Sequence, residues 1–190
     1  MSNHLDYEIN KELGECYLFM GDMDKAEEYY LKAAGSNGVH PEPYLGLATI
    51  AVHRGELDQA MRMYRKAASI APSDKAAAGI GLLEMESGAH ARAFDKFSEA
   101  LRLNPENIVA IFGLVQVGHV LHRLAEVTPF LDACLELAPG KDDVRFALAA
   151  CLASLGSTGD AARHLEIILE HDPNNVSARD LFGQCAAKVA

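Results

Sequence analysis

His119 and His122 stand three residues apart, a spacing that puts two imidazoles on one helical face and suits a shared metal ion. No cysteine or further histidine near them in sequence completes a ligand set. His164 and His171, two helical turns apart, gain no third ligand either. The four cysteines make no CxxC pair: Cys16, Cys151 and Cys185 fall in one phase, and Cys134 stands where other segments place alanine. All four read as small buried hydrophobes with reduced thiols. No GxSxG elbow is present, no cysteine sits in a nucleophile signature, and no Gly-rich phosphate loop follows a strand. These residues predict no catalytic group, no metal and no cofactor, and the chain reads as a non-enzyme.

The elements that would position any site repeat along the chain. A small residue recurs at Ala26, Ala60, Ala93, Val127 and Ala161, in steps of 34, 33, 34 and 34. Tyr30, Tyr64, Phe97, Leu131 and Leu165 follow four residues later, then Ala33, Ala67, Ala100, Cys134 and Ile168. Proline closes the later segments at Pro72, Pro105, Pro139 and Pro173. A fixed step of this length marks a stacked repeat architecture.

Inside each step the apolar spacing is helical. Tyr44, Leu47, Ala48 and Ala51 share one face, Gly55 interrupts, and Ala60, Met63, Tyr64 and Ala67 resume the pattern. A unit is therefore two antiparallel helices of about 13 residues around a tight turn, with turn glycines at Gly21, Gly55, Gly88 and Gly156. Asp22 and Glu56 fall near second-helix starts, where unpaired N–H groups and the helix dipole favour a carboxylate. Gly14, Ala48, Gly81, Ala149 and Gly183 keep the first helices slim against the alanine column. Equivalent first helices should lie roughly 8–10 Å apart. That is beyond the roughly 7 Å reach of a disulfide between Cys151 and Cys185.

Composition narrows the partner. The 190 residues carry a formal net charge of −10, with 49% hydrophobic and 23% charged residues. Such a balance argues against a nucleic-acid backbone, which needs a basic footprint. Residues 1–34 hold eight acids against three bases, so one end favours a partner with basic residues. No apolar run approaches the roughly 18 residues of a membrane span. Residues 1–6 lack a signal-peptide pattern, and the cytoplasm is the expected location.

These columns resemble the tetratricopeptide repeat. The resemblance implies an all-α fold, a right-handed α-solenoid of antiparallel helix pairs (the TPR superhelix) with about eleven helices. It spans residues 1–190 as a single domain, with units at about 7–40, 41–73, 74–107, 108–141 and 142–175 and a capping helix at 176–190. In that helix Leu181, Phe182, Cys185 and Val189 would cover the fifth unit, while Ser177, Asp180, Gln184 and Lys188 face water. Two departures stand out. Gly38 takes the first closing-proline position, so the exit loop Gly35–His40 should be irregular. The fourth unit has His122 at the turn glycine and Thr128-Pro129 further on, which predicts a long first helix over 107–125 and a short second one over 129–138. If one place departs from regular geometry, it is expected around Val127.

The family binds partner segments along the first helices, which form its concave groove. By column the groove falls to Lys11, Glu15, Leu45, Thr49, Val52, Leu82, Met85, Phe112, Gln116, His119 and Phe146, with Glu8, Glu42, Lys75, Val109, Ala150 and Ala153 among the adjoining positions. It starts polar and acidic and turns apolar toward Leu82, Met85, Phe112 and Phe146, which suits an amphipathic or extended segment with apolar anchors. Family members that clamp chaperone tails use two lysines, two asparagines and an arginine. Lys11 and Lys75 fit the lysine columns, but Glu15 and Gly46 replace the asparagines and Gly79 the arginine, so that clamp is not expected. The reading is a protein-interaction scaffold or adaptor for a protein or peptide ligand with basic and apolar residues, itself a monomer or weak homo-oligomer. Its alternatives are a structural protein that self-assembles through its terminal units, or the regulatory subunit of an enzyme complex.

Overall fold

A computed structural model describes residues 2–36 and 39–189. Among them are eleven helices and no strand: α1 (Ser2–Phe19), α2 (Met23–Ser36), α3 (Glu42–His53), α4 (Leu57–Ile70), α5 (Asp74–Glu86), α6 (His90–Leu103), α7 (Ile108–Val120), α8 (Leu124–Leu137), α9 (Asp142–Ser154), α10 (Thr158–His171) and α11 (Val176–Val189). The fold is an all-α solenoid of helix pairs. Packing gathers the chain into two compact units, residues 1–87 and 88–190, and each is described by itself below.

In both units the small column is a packing device. Ala26, Ala60, Ala93, Val127 and Ala161 are fully buried. Three of them are followed by a ring, and each ring presses on a first-helix glycine. An ideal Cβ at Gly46 would lie 2.3 Å from Cζ of Tyr30, and one at Gly79 would lie 2.4 Å from Cζ of Tyr64. In the second unit, Gly113 meets Cζ of Phe97 at 2.4 Å in the same way. Leu131 replaces the ring at the next joint, and its column partner is Ala147. Size is thus traded across these three joints: each ring takes a glycine. Packing at this density leaves no slack, so adding a methyl at Gly46 or Gly79 forces the ring to move.

Val127 is accommodated by the same trade. A Cβ at Gly118 would sit 2.5 Å from a Val127 methyl, so the extra bulk of valine is absorbed by a glycine opposite it. The fourth pair therefore keeps regular helices, and the expected long 107–125 and short 129–138 helices are not found. His122 itself adopts the left-handed turn conformation, φ 56°, that Gly21, Gly55, Gly88 and Gly156 adopt with φ between 74° and 86°. Its hydrogen bonds match theirs: His122 N–H reaches the His119 carbonyl at 3.2 Å and Arg123 N–H the Gly118 carbonyl at 2.8 Å. Gly21 and Asp22 do the same with Leu18 and Tyr17.

Thr128 and Pro129 lie inside α8, not at its start. Pro129 cannot donate to the Ala125 carbonyl one turn back, and the Thr128 hydroxyl offers that oxygen a substitute at 3.4 Å.

Several helix starts are capped by a short polar side chain. Ser73, Asn107 and Asn175 accept from the N–H three residues on, in Ala76, Ala110 and Ala178. Asp22 accepts from Lys25 N–H at 3.2 Å, whereas Glu56 makes no side-chain cap bond. In the two last joints an arginine closes the preceding loop: buried Arg145 donates to the Pro139 carbonyl and exposed Arg179 to the Pro173 carbonyl.

α2 runs through Gly35 to Ser36, so these two residues are helical and not part of an irregular loop; residues 37 and 38 lie outside the described residues. In α11, Ala178 and Cys185 join the core formed by Leu165 and Ile168, with Leu181 and Phe182 packed beside it. Ser177, Asp180 and Gln184 are exposed; the side chains of Lys188 and Val189 lie outside the described residues. Three cysteines are buried, as their column requires, but Cys16 is exposed. Its equivalents pack against the second helix of the preceding pair, and α1 has none before it among the described residues.

Candidate functional site

All eleven groove candidates lie on first helices: Lys11 and Glu15 on α1, Leu45, Thr49 and Val52 on α3, Leu82 and Met85 on α5, Phe112, Gln116 and His119 on α7, Phe146 on α9. What surrounds them differs between the two units.

In residues 1–87 several of these side chains already have partners. Lys11 pairs with Glu8 at 2.7 Å. Thr49 donates to the Leu45 carbonyl at 3.0 Å. It also bonds the Tyr64 phenol, which partly offsets the upward push that burial gives that hydroxyl. Glu42 accepts from the Tyr7 hydroxyl at 3.1 Å, and Tyr7, almost wholly buried, stacks on His40 with ring centroids 4.3 Å apart. Val52 and Leu82 are exposed, Leu45 and Met85 half-buried, and Glu15 exposed.

In residues 88–190 the same columns leave a cavity of about 430 Å³ between α7 and α9. Val115, Gln116, His119 and Val120 line it from α7, Leu124 from α8, and Ala150, Cys151 and Ser154 from α9. Its origin is visible in the columns. Position 150 corresponds to Glu15, Thr49, Leu82 and Gln116 in the other units, and position 153 to Leu18, Val52, Met85 and His119. On α9 both are alanine, and the large side chains of α7 face a floor with nothing to fill it.

Ala150 and Ser154 also line a second opening of about 220 Å³, with Ala153, Leu181, Gln184 and Cys185, on the α11 side. A third, of about 210 Å³, is lined by His119, His122, Leu124, Ser154 and Leu155.

The chemistry of the large cavity is apolar with few polar groups. Burial pushes the Cys151 thiol up to about 11, so it is a neutral wall and not a nucleophile. Gln116 and His119 are exposed and can donate or accept for a main chain lying over the opening. Phe112 is 40% exposed on the same helix, one turn earlier. Phe146 is half-buried and packs on the Leu165–Ile168 core. Val115, Val120, Leu124, Cys151 and Ser154 were not among the expected groove residues; Val120 and Ser154 lie one position past the last groove column, at the helix end.

His119 and His122 do not share a helix, since His119 lies in the last turn of α7 and His122 forms the turn beyond it. Among the described residues no three His, Cys, Asp or Glu side chains converge as a metal site would need. No described helix is long and apolar enough to cross a membrane.

Two tetratricopeptide repeat family models match the chain, over residues 11–75 and 121–185. The chain belongs to the tetratricopeptide repeat family. Members of this family mediate protein–protein interaction, and its fold is typically a non-enzymatic scaffold. Among solved structures, YrrB, a TPR protein with an unusual peptide-binding site, is 28% identical, with a TM-score of 0.71 over 85% of this chain and 84% of that one. Pseudomonas aeruginosa pilF is similar in fold, with a TM-score of 0.75 at 18% identity, covering 100% of this chain and 92% of that one. BBSome complex member BBS4 of Bos taurus is 33% identical over 110 residues, 57% of this chain and 21% of the bovine protein. The chain thus spans about a fifth of the length of that curated relative.

Proposed function

We propose that this TPR chain is an adaptor that holds a segment of a partner protein against the first-helix face of residues 88–190, with one apolar side chain of that segment in the cavity over α9. The observation that carries this reading is the cavity itself. Its walls are aliphatic, its floor is Ala150 and Ser154, and Gln116 and His119 stand at its opening. Recognition of this kind takes affinity from an apolar anchor and direction from a few polar groups. Phe112 extends the apolar contact along α7. Support also comes from the peptide-binding site described for YrrB.

The first-helix residues of the other unit, Lys11, Glu15, Leu45, Thr49, Val52, Leu82 and Met85, are not part of this site and stand as a separate candidate surface for a partner segment. The acidic balance of the chain favours basic residues flanking the anchor. The five-unit division with a closing helix, and a cytoplasmic setting, belong to the same proposal. A chaperone-tail clamp does not. The rings of Tyr30 and Tyr64 occupy the space where side chains at Gly46 and Gly79 would begin, and Glu8 already engages Lys11.

Selection from a displayed library of random 12-residue peptides tests the proposal. Enriched peptides should share one Phe, Leu or Met with Lys or Arg nearby, and should lose binding to the Ala150→Phe variant. Enrichment of peptides that bind wild type and Ala150→Phe equally would contradict it.

A further inference from the structure

The cavity between α7 and α9 has a counterpart one repeat further on. Gln116, His119, Val120 and Leu124 of its near wall shift by one 34-residue step to Ala150, Ala153, Ser154 and Thr158. Those four residues line the opening of about 220 Å³ between α9 and α11. The far wall shifts by the same step, from Ala150 and Cys151 to Gln184 and Cys185. Two openings therefore stand in one register on either side of α9, and Ala150 and Ser154 belong to both.

The pair is graded in size and polarity. The first measures about 430 Å³ and is flanked by Val120 and Leu124. In the second, of about 220 Å³, the hydroxyls of Ser154 and Thr158 take their places and Gln184 stands where the first has Ala150. A large apolar side chain suits the first, and a small one, alanine to threonine in size, suits the second. Asp180, exposed one turn before Gln184, sets a carboxylate beside the small opening, where a basic neighbour is complementary.

Spacing then selects the backbone of the ligand. Successive first helices pack roughly 8–10 Å apart, so the openings recur at about that interval. A β-strand returns a side chain to one face after two residues, about 7 Å, or after four, about 13 Å. Polyproline II returns it after three residues, roughly 9 Å. An α-helix returns it after seven, about 10.5 Å, but its main chain is already hydrogen-bonded internally. Gln116, His119, Ser154 and Gln184 are exposed around the two openings, and a polyproline II main chain has free carbonyls to offer their donors.

Building on the adaptor reading above, we infer that the partner segment crosses α7, α9 and α11 in the polyproline II conformation. A large apolar residue fills the α7–α9 cavity, a small residue three positions away fills the α9–α11 opening, and a lysine or arginine adjoins the small one at Asp180.

Position 153 separates the two openings. Ala153 lines the small one and not the large one. Its column holds Leu18, Val52, Met85 and His119 in the other units, so Ala153→Met fills the opening with a side chain that the column already carries. The probes are 12-residue peptides selected from a random library on the full chain. Those that lose binding to Ala150→Phe should carry Ala, Ser or Thr three positions from the apolar anchor, and Ala153→Met should weaken them about tenfold. Proline at one of the two intervening positions, at least, should cost less than about threefold, whereas a helical ligand should lose roughly a hundredfold at both.

Circular dichroism confirms the fold of each variant, and Ala153→Val, the residue of that column on α3, serves if Ala153→Met is unfolded. Three results overturn the inference and leave the adaptor reading intact, each for peptides sensitive to Ala150→Phe. They are indifference to Ala153→Met, a second shared residue seven positions from the anchor, and a roughly hundredfold loss with proline at either intervening position. Failure to enrich any peptide sensitive to Ala150→Phe sinks both.

Discussion

The two compact units use the same columns and reach different surfaces. On residues 1–87 the first helices carry polar or long side chains that turn to their own neighbours: Lys11 to Glu8, Thr49 to the Leu45 carbonyl, Glu42 to Tyr7. On residues 88–190 the corresponding position of α9 shrinks to Ala150, and a cavity of about 430 Å³ opens beside α7. The repeat decides where a side chain points. Whether a site exists there depends on side-chain size at two or three positions, which the repeat leaves free.

Beneath the surface the units should behave alike, and matched core substitutions check this first. Phe97→Ala removes a fully buried ring and should cost about 3–5 kcal/mol, with Tyr30→Ala close to it, by urea unfolding. A large disparity between them would mean that the ring–glycine joints are not equivalent.

At the surface the units should part. Ala150→Phe should lower affinity for a selected apolar-anchored peptide at least about tenfold, or roughly 1.4 kcal/mol, by calorimetry. Thr49→Phe, the same column in the other unit, should leave that affinity unchanged.

The turns give a smaller, signed comparison. His122→Gly should stabilise by about 1 kcal/mol, since a left-handed backbone carries a cost of that order for a residue with a Cβ. Gly55→His should lose about as much by the same strain. If His122→Gly also weakens peptide binding, the histidine is held in its strained turn for contact with ligand.

The smallest effect is in alkali. Burial pushes the Tyr30 hydroxyl up to about 12, so its folded pKa lies above the unfolded value near 10. Its contribution is complete below about pH 10 and is lost as pH rises toward 12, which Tyr30→Phe should flatten.

Most of the fold was legible because the period is set by backbone packing. Ala26 and its equivalents, the turn glycines and the closing prolines answer to constraints local to a helix pair. The fourth pair was misread because His122 and Pro129 each suggested a boundary by local preference. Neighbouring atoms override both: the left-handed turn accepts a histidine, and Thr128 serves the carbonyl that Pro129 leaves open. Gly118 across from Val127 was a signal in plain view, since a valine in an alanine column needs a smaller residue opposite.

The site was legible only in part. Gln116 and His119 could be placed by column, but a cavity is a property of what is missing, and Ala150 looked unremarkable until its larger equivalents were set beside it. Cys16 reads as a core residue because Ile50, Leu83, Val117, Cys151 and Cys185, the later members of its column, are all apolar and buried.

The central claim, that the cavity over α9 receives an apolar side chain, is tested most directly by methyl NMR. The chain, labelled at alanine, valine and leucine methyls, is titrated with a selected peptide and with the same peptide carrying alanine at its anchor. Saturable shifts centred on Val115, Val120, Leu124 and Ala150 with the first peptide, absent with the second, are predicted. Shifts of equal size with both peptides, or shifts centred on Val52 and Leu82 with the cavity methyls unmoved, would contradict it.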